Sequence, residues 1–340
     1  MLKPLVRALN KVLRIFDARL VRASTFAEDG GSPPGGRADY PAPAPRRRPD
    51  PELDLDARLP HVRALLTTQL NFLMLGSSGD VLRLPRGLAD KVHVFSVDAV
   101  APGLGAPFTA IQQVVTPEAG KVSFVQRAFA GCSSVAAPLR RLVAAYGLEA
   151  LFQEKNRCEV ESTSVRELAL RHRVDRWHWI KTDLEGLDFE VVKSLGDAVR
   201  RTLILQMELR FEPFYEGEPC FHTVAGYLDD RGFDLFDLQI ERWRYVTPNR
   251  LLPTKGRATY CDAVFVNRHP GGEAADILAQ ALILGILGYL NYAEYLVERI
   301  RDAQPEAVDE VIDFLFARMR GREPFLPYPS VPHVVTAAGD

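Results

Sequence analysis

Three ionisable residues, Lys181, Asp183 and Glu185, follow a short apolar run in the middle of the chain. The run at residues 177–180 has the composition of a buried strand, and Gly186 permits a tight turn into a segment with helical periodicity. Ligands bind at the carboxyl ends of the strands in open α/β sheets, so this pattern predicts a site. The alternative is an ordinary strand-to-helix junction, whose solvated acids favour the positive end of the helix.

A glycine turn and an acid occupy the ends of the first two predicted strands. Gly76, Ser77, Ser78 and Gly79 form a turn of small residues, which lets backbone N–H groups approach a ligand before a helical stretch begins. Asp98 ends the second strand, where a carboxylate accepts hydrogen bonds from both hydroxyls of a ribose. The turn is not G-x-G-x-x-G, which argues against a nicotinamide cofactor. A purely steric turn and a helix cap remain the alternatives.

A fourth acid, Glu208, ends the fifth predicted strand. If the strands are parallel, it lies at the same edge as Asp183 and Glu185. Carboxylates that meet in this way raise each other's pKa unless Lys181, Arg210 or a metal compensates. Perturbed carboxylates suit general-base chemistry, although a structural ion-pair network has the same sequence pattern.

Ala128 lies in a polar stretch that ends the third predicted strand, which indicates either the lining of an adenine pocket or a simple turn. The seven histidines show no metal-ligand spacing, so we predict no metal site. Neither a nucleophile elbow nor a Walker A loop is present, which removes support for hydrolase and phosphate-loop functions.

Strand-like and helix-like segments alternate from about residue 60, which predicts a largely parallel sheet covered on both faces. A loop separates the last two strands, which indicates an antiparallel edge pair. The predicted strands are Asn71–Leu75, Val92–Val97, Val122–Gln126, Trp177–Lys181, Leu203–Glu208, Phe233–Leu238 and Tyr260–Val266. The helices predicted between them include Val165–Arg173, Leu187–Leu195 and Phe221–Arg231.

Composition predicts four parts of the chain. Residues 1–27 begin with a basic amphipathic helix over residues 1–22, for which we favour docking on the protein over peripheral contact with an anionic membrane. Residues 28–58 form a linker rich in Pro, Gly and Arg. The α/β domain covers 59–270, and 271–340 form a C-terminal helical appendage and tail. The helices predicted for the appendage are Ala275–Leu287, Tyr292–Arg301 and Ala307–Arg320.

The net charge and the cysteine spacing indicate which partners and which cellular compartment to expect. A net charge of −2 gives no basic field for nucleic acid. Four widely spaced cysteines indicate free thiols in a reducing compartment, so we expect a cytoplasmic protein. No apolar run is long enough for a membrane span. The sequence does not indicate an oligomeric state.

Several motifs, in order, resemble the FkbM-type methyltransferase family over roughly residues 70–268. The strongest is Ile180–Gly186, which is similar to the family's K-x-D-x-E-G. The others are Ser164–Leu168 (T-L-D-D-L in the family), Glu208 with Glu212–Gly217 (E-x-x-x-x-P-x-Y), and the closing strands at Gly232–Leu235 and Asp262–Phe265.

This resemblance implies a Rossmann-like, seven-stranded sheet with one antiparallel edge strand. It also implies transfer of a methyl group from S-adenosyl-L-methionine to a hydroxyl of a saccharide or natural-product scaffold. By analogy, Gly76–Gly79 would hold the methionine moiety and Asp98 the ribose. Asp183 would lie near the sulfonium, and Asp183 or Glu185 would orient or deprotonate the acceptor.

The first motif departs from the family's D-x-G-A-N-x-G. Met74 stands where the family has an acid, Ser78 where it has an asparagine, and Arg166 where the T-L-D-D-L segment has its first aspartate. These departures favour one alternative function, a non-catalytic methyltransferase-like domain that serves as a binding or scaffold module.

Overall fold

The computed structural model describes residues 59–76, 84, 86–99, 108–248 and 255–320. The predicted N-terminal helix, the linker and the C-terminal tail beyond residue 320 lie outside these ranges, and so do Ser77, Ser78 and Gly79. Those predictions are therefore untested.

A seven-stranded sheet forms the centre of the described chain, in the order β3-β2-β1-β7-β8-β10-β9. Its first five strands are parallel, and β10 is antiparallel to both of its neighbours. The strands are β1 (Leu70–Leu75), β2 (Val92–Asp98), β3 (Thr109–Gln112), β4 (Val114–Val115), β5 (Gly120–Arg127), β6 (Glu154–Thr163), β7 (Trp179–Thr182), β8 (Ile204–Arg210), β9 (Phe233–Trp243) and β10 (Arg257–Asn267). The sheet confirms the predicted fold class, with the antiparallel strand one place in from the edge.

One predicted strand belongs to a different sheet. Residues 122–126 lie in β5, which pairs with β6 in a three-stranded sheet of order β4-β6-β5. The edge strand of the large sheet next to β2 is β3, which has a half-exposed pattern and lacks the apolar run of a central strand. β6 also escaped prediction, because most of its residues are exposed and many are charged.

Helices cover both faces of the large sheet. The α-helices are α1 (Pro60–Leu65), α2 (Arg140–Ala145), α3 (Glu149–Phe152), α4 (Val165–His172), α5 (Asp188–Lys193), α6 (Phe221–Asp229), α7 (Ala274–Leu287), α8 (Leu290–Glu298) and α9 (Pro305–Arg320). One face packs against α4, α5 and α6, and the other packs against α1 and the three C-terminal helices. Both sets bury apolar side chains against the sheet.

The C-terminal helices share one hydrophobic core with the sheet. Every residue of α7 from Ile277 to Ile286 is buried. Between β1 and β2 the described residues contain a short 3-10 helix, Arg86–Leu88, and the helical stretch expected directly after the glycine turn lies outside the described residues. The long apolar helix α7 packs in the same hydrophobic core as β1 and β2.

Towards the carboxyl edge of the sheet, the face under the C-terminal helices changes from apolar to ionisable. Side chains alternate along a strand, so Trp179 and Lys181 of β7 share this face. On β8 the same face carries Ile204, then Glu208 and Arg210. Trp179 and Ile204 lie in the core, whereas Lys181 and Arg210 are buried charged residues. The candidate site therefore lies at this edge of the sheet, where the ionisable side chains are.

Candidate functional site

Three strand ends converge at the carboxyl edge of the large sheet. The backbone N–H of Gly76, after β1, donates to the carbonyl of Val97, 2.9 Å away, and Asp98 follows next on β2. On the other side of β1, the N–H of Asp183 donates to the carbonyl of Leu75 at 3.1 Å. Gly76, the first residue of the predicted glycine turn, therefore lies between the strand ends that carry Asp98 and Asp183.

Gly76 cannot carry a side chain in this position. Its φ is +70°, and a Cβ atom would lie 1.8 Å from the carbonyl oxygen of Asp183. The left-handed conformation and the close backbone approach both require glycine. The ends of β1 and β7 are therefore held together closely at this point.

Arg210 lies among three glutamates. It forms ion pairs with Glu208 at 2.5 Å, Glu185 at 3.2 Å and Glu218 at 3.7 Å, and its side chain is only 6% exposed. Its guanidinium also stacks over the ring of Tyr260, 4.7 Å from the centroid. Burial lowers the pKa of Arg210, but the carboxylates of Glu208 and Glu185 outweigh burial and raise it well above its ordinary value. Arg210 is the compensating cation of the cluster.

Glu185 is held in an unusual backbone conformation. Its φ is +49°, which is uncommon for a residue with a side chain. The hydroxyl of Ser134 donates to its carbonyl at 2.8 Å, and the hydroxyl of Tyr215 donates to its carboxylate at 2.5 Å. Burial raises the pKa of Glu185 to about 7 despite the opposing charge of Arg210.

The carboxylates of Asp183, Glu185 and Glu208 lie close together, each offering an oxygen within 4.8 Å of the others. Burial raises the pKa of Asp183 and of Glu208, and their neighbours' negative charges add to the effect. Divalent cations prefer oxygen ligands of this kind. The Arg210 guanidinium already contacts two of the three carboxylates, so we assign no metal site here.

Two further groups support the Asp183 loop from within the fold. Lys181 is 2% exposed on β7, and its charge lowers the pKa of Asp183 against the effect of burial. Asp188, at the start of α5, accepts the backbone N–H of Leu184 with both carboxylate oxygens, at 3.1 and 3.2 Å. Burial, with the charge of Asp183, raises the pKa of Asp188 to about 7.

Ala128 lies at the end of β5, in the second sheet. Its backbone N–H donates to the carbonyl of Gln153 at 2.8 Å, so it is already used within the fold. The structure thus groups Asp183, Glu185 and Glu208 and places Gly76 between the strand ends that carry Asp98 and Asp183. Lys181 lies on β7, and Ala128 directly follows β5 of the three-stranded sheet.

Sequence reasoning missed part of the site. Tyr215 and Glu218 come from the loop after β8, and no spacing rule predicts that they fold back onto Glu185 and Arg210. The resemblance to E-x-x-x-x-P-x-Y included Tyr215 in a motif but assigned it no role. Arg210 is easier to predict from the sequence, since it lies two residues after Glu208 on β8 and therefore lies on the same face of the sheet.

An open α/β sheet in this order, with a glycine turn and acids at neighbouring strand ends, defines the Rossmann-like class of cofactor-binding domains. Residues 114–235 match the family model of the methyltransferase FkbM domain. The chain thus carries an FkbM methyltransferase domain, which implies S-adenosylmethionine-dependent methyl transfer to an acceptor that is not indicated. No curated protein and no solved structure matches the chain significantly.

The matched segment contains much of the cluster, including residues 181–186, Glu208, Arg210 and Tyr215. Gly76 and Asp98 precede it in the chain. Among the residues that the structure describes, no helix combines the length and apolar character needed to cross a membrane.

Proposed function

We propose that this protein transfers a methyl group from S-adenosyl-L-methionine to a hydroxyl of a saccharide or natural-product scaffold. The observation that carries the proposal is the convergence of Gly76, Asp98 and Asp183 at one edge of the sheet. These residues come from three neighbouring strand ends, and such an edge is where ligands bind in folds of this class.

The residues at this edge fit the cofactor chemically. Gly76 offers backbone without a side chain, and the carboxylate of Asp98 suits the two hydroxyls of a ribose. S-adenosylmethionine supplies its methyl group on a positively charged sulfur. Asp183 offers a carboxylate near where the sulfonium would lie, and the positive charge of the bound sulfonium would favour its ionised form. In this proposal Ser77, Ser78 and Gly79 hold the methionine moiety.

The acceptor side of the proposal depends on the carboxylates. A sugar hydroxyl has a pKa far above 7, so its attack needs a base or close positioning. Glu185, whose pKa is raised to about 7, and Asp183 are the candidate bases. In this proposal Lys181 and Glu208 influence the pKa of these two bases through their charges. Ala128 is proposed to line the adenine pocket with its side chain, because its N–H is already bonded.

S-adenosylhomocysteine should bind the purified protein, with Asp98 contributing through the ribose. We expect Asp98→Ala to weaken binding at least about tenfold, since hydrogen bonds to a charged group contribute about 1.5–3 kcal/mol. Calorimetric titration measures both affinities. Asp197→Ala is the matched control, because its side chain is 94% exposed on another part of the chain.

Absence of any heat or thermal shift at millimolar ligand would reject the enzyme function and favour the alternative, a non-catalytic binding or scaffold module. An unchanged affinity in Asp98→Ala would reject the ribose role alone.

Replacement of Asp183 by asparagine should lower turnover about 100-fold while the fold persists, because the carboxylate is proposed to act at the reacting centre. Turnover is measured as S-adenosylhomocysteine released in the presence of a panel of glycosides, and folding is monitored by circular dichroism. Asp197→Asn should behave as wild type. Full turnover in Asp183→Asn would show that the reacting centre lies elsewhere.

A further inference from the structure

The carboxylate of Glu185 is contacted on one oxygen only. Its Oε2 accepts the hydroxyl of Tyr215 at 2.5 Å and the Nη2 of Arg210 at 3.2 Å. Within the described ranges, no hydrogen bond reaches Oε1. A short hydrogen bond from a hydroxyl to a carboxylate is charge-assisted and strong. The two contacts therefore fix the plane of the carboxylate and leave its other oxygen available.

Tyr215 is itself held rigidly. Its side chain is fully buried, and its ring packs against Gly186, where a Cβ atom would lie 2.6 Å from the ring. The backbone N–H groups of Phe214 and Tyr215 both donate to Oε2 of Glu218, at 2.7 and 3.0 Å. The next residue, Glu216, bonds through its N–H to the carbonyl of Ala137. The hydroxyl of Tyr215 thus has little freedom to leave Glu185.

A separate contact, from Ser134, fixes the backbone of Glu185. The hydroxyl of Ser134 donates to its carbonyl, and its left-handed conformation is one that side-chain residues adopt at a cost of about 1–2 kcal/mol. Such a conformation persists only where surrounding contacts determine it. Both ends of the residue are therefore anchored by segments outside the large sheet, which is the arrangement expected of a preorganised functional carboxylate.

We infer that Tyr215 is a positioning residue which, together with Arg210, holds Oε2 of Glu185 so that Oε1 receives the proton of the acceptor hydroxyl. The inference rests on the proposed function for the identity of the acceptor. In this step the acceptor O–H bond breaks and an Oε1–H bond forms. The electron pair of the broken bond stays on the acceptor oxygen. The assignment favours Glu185 over Asp183 as the base.

Several titratable or charged groups face Glu185 from the elements packed around it. They are Asp183 and Asp188 from its own segment, Glu208 and Arg210 from β8, Tyr215 from the loop after β8, and Cys132 from the 3-10 helix after β5. Glu218, from the same loop as Tyr215, forms its ion pair with Arg210. Burial raises the pKa of Glu185 and the Arg210 charge opposes it. The hydrogen bond from Tyr215 also lowers this pKa, because it stabilises the ionised form.

The test is the titration of Glu185 in the full-length protein without any ligand. Infrared difference spectra follow its protonated carboxyl as a function of pH, and the band lost in Glu185→Gln identifies it. We expect an apparent pKa of about 7 in the wild type and a rise of about one unit in Tyr215→Phe. Tyr260→Phe is the matched control, because it removes another buried tyrosine hydroxyl that does not contact Glu185.

An unchanged Glu185 titration in Tyr215→Phe would overturn the positioning role. Failure of Tyr215→Phe to fold would also overturn it, since the hydroxyl would then be structural. An equal shift in Tyr260→Phe would show a general effect of the buried tyrosines and would likewise reject the inference. The measurement uses no cofactor, so it stays distinct from the proposed function, which fails if S-adenosylhomocysteine does not bind.

Discussion

Arg210→Met should destabilise the protein by about 3–5 kcal/mol at pH 8, the range observed when one partner of a buried ion pair is removed. Methionine preserves much of the aliphatic volume but leaves three glutamates without the guanidinium that contacts them. Glu208 and Glu218 have side chains only 12% and 9% exposed, so water cannot replace the lost charge easily. Denaturant unfolding measures the loss.

The loss should shrink as the pH falls. In the folded protein the pKa of Glu185 is about 7, above its ordinary value of 4.5, so the folded state binds more protons than the unfolded state between these values. Stability from such a group is present below the unfolded pKa and is lost as the pH rises through the folded pKa. Without Arg210 the folded pKa rises further, so the variant should approach the wild type near pH 5.

Two further variants test whether the buried, uncompensated charge causes the loss of stability in Arg210→Met. Arg200→Met removes an arginine whose ion pair with Asp197 is exposed, and should cost less than about 1 kcal/mol. Adding Glu208→Gln to Arg210→Met should recover part of the stability, because one uncompensated carboxylate is removed. A single variant Arg210→Met within about 1 kcal/mol of wild type at pH 8 would contradict the central role assigned to this cation.

Short apolar runs predicted the central part of the sheet, because β1, β7 and β8 are buried on both faces and each contains such a run. The same reasoning missed β3 and β6, where exposed polar residues remove that signal. Pairing with neighbouring strands, which sequence spacing does not encode, is what makes these segments strands.

The candidate site was likewise predicted only in part from the sequence. Asp183, Glu185 and Glu208 were predicted because each acid directly follows or ends an apolar strand, and parallel strands end at one edge. Tyr215 reaches Glu185 across 30 positions of chain through a loop. Its approach depends on the packing of that loop and on the left-handed backbone at Glu185, neither of which has a pattern in residue types.

Gly76→Ala should be the most damaging small substitution in the described chain. Alanine at a φ of +70° costs about 1–2 kcal/mol, and a Cβ 1.8 Å from the carbonyl oxygen of Asp183 forces the ends of β1 and β7 apart. Overpacking of this kind adds about 1–3 kcal/mol, so we expect a total loss of roughly 2–5 kcal/mol in the free energy of unfolding. Affinity for S-adenosylhomocysteine should fall with it.

Gly196→Ala separates the two contributions. Gly196 also has a positive φ, +57°, but a Cβ atom there would meet nothing within 4 Å, so this variant carries only the conformational cost of about 1–2 kcal/mol. The difference between the two variants therefore measures the contact between Gly76 and Asp183. Equal losses, or a Gly76→Ala protein that binds S-adenosylhomocysteine as tightly as the wild type, would show that the close approach of these two strand ends is not what shapes the cofactor site.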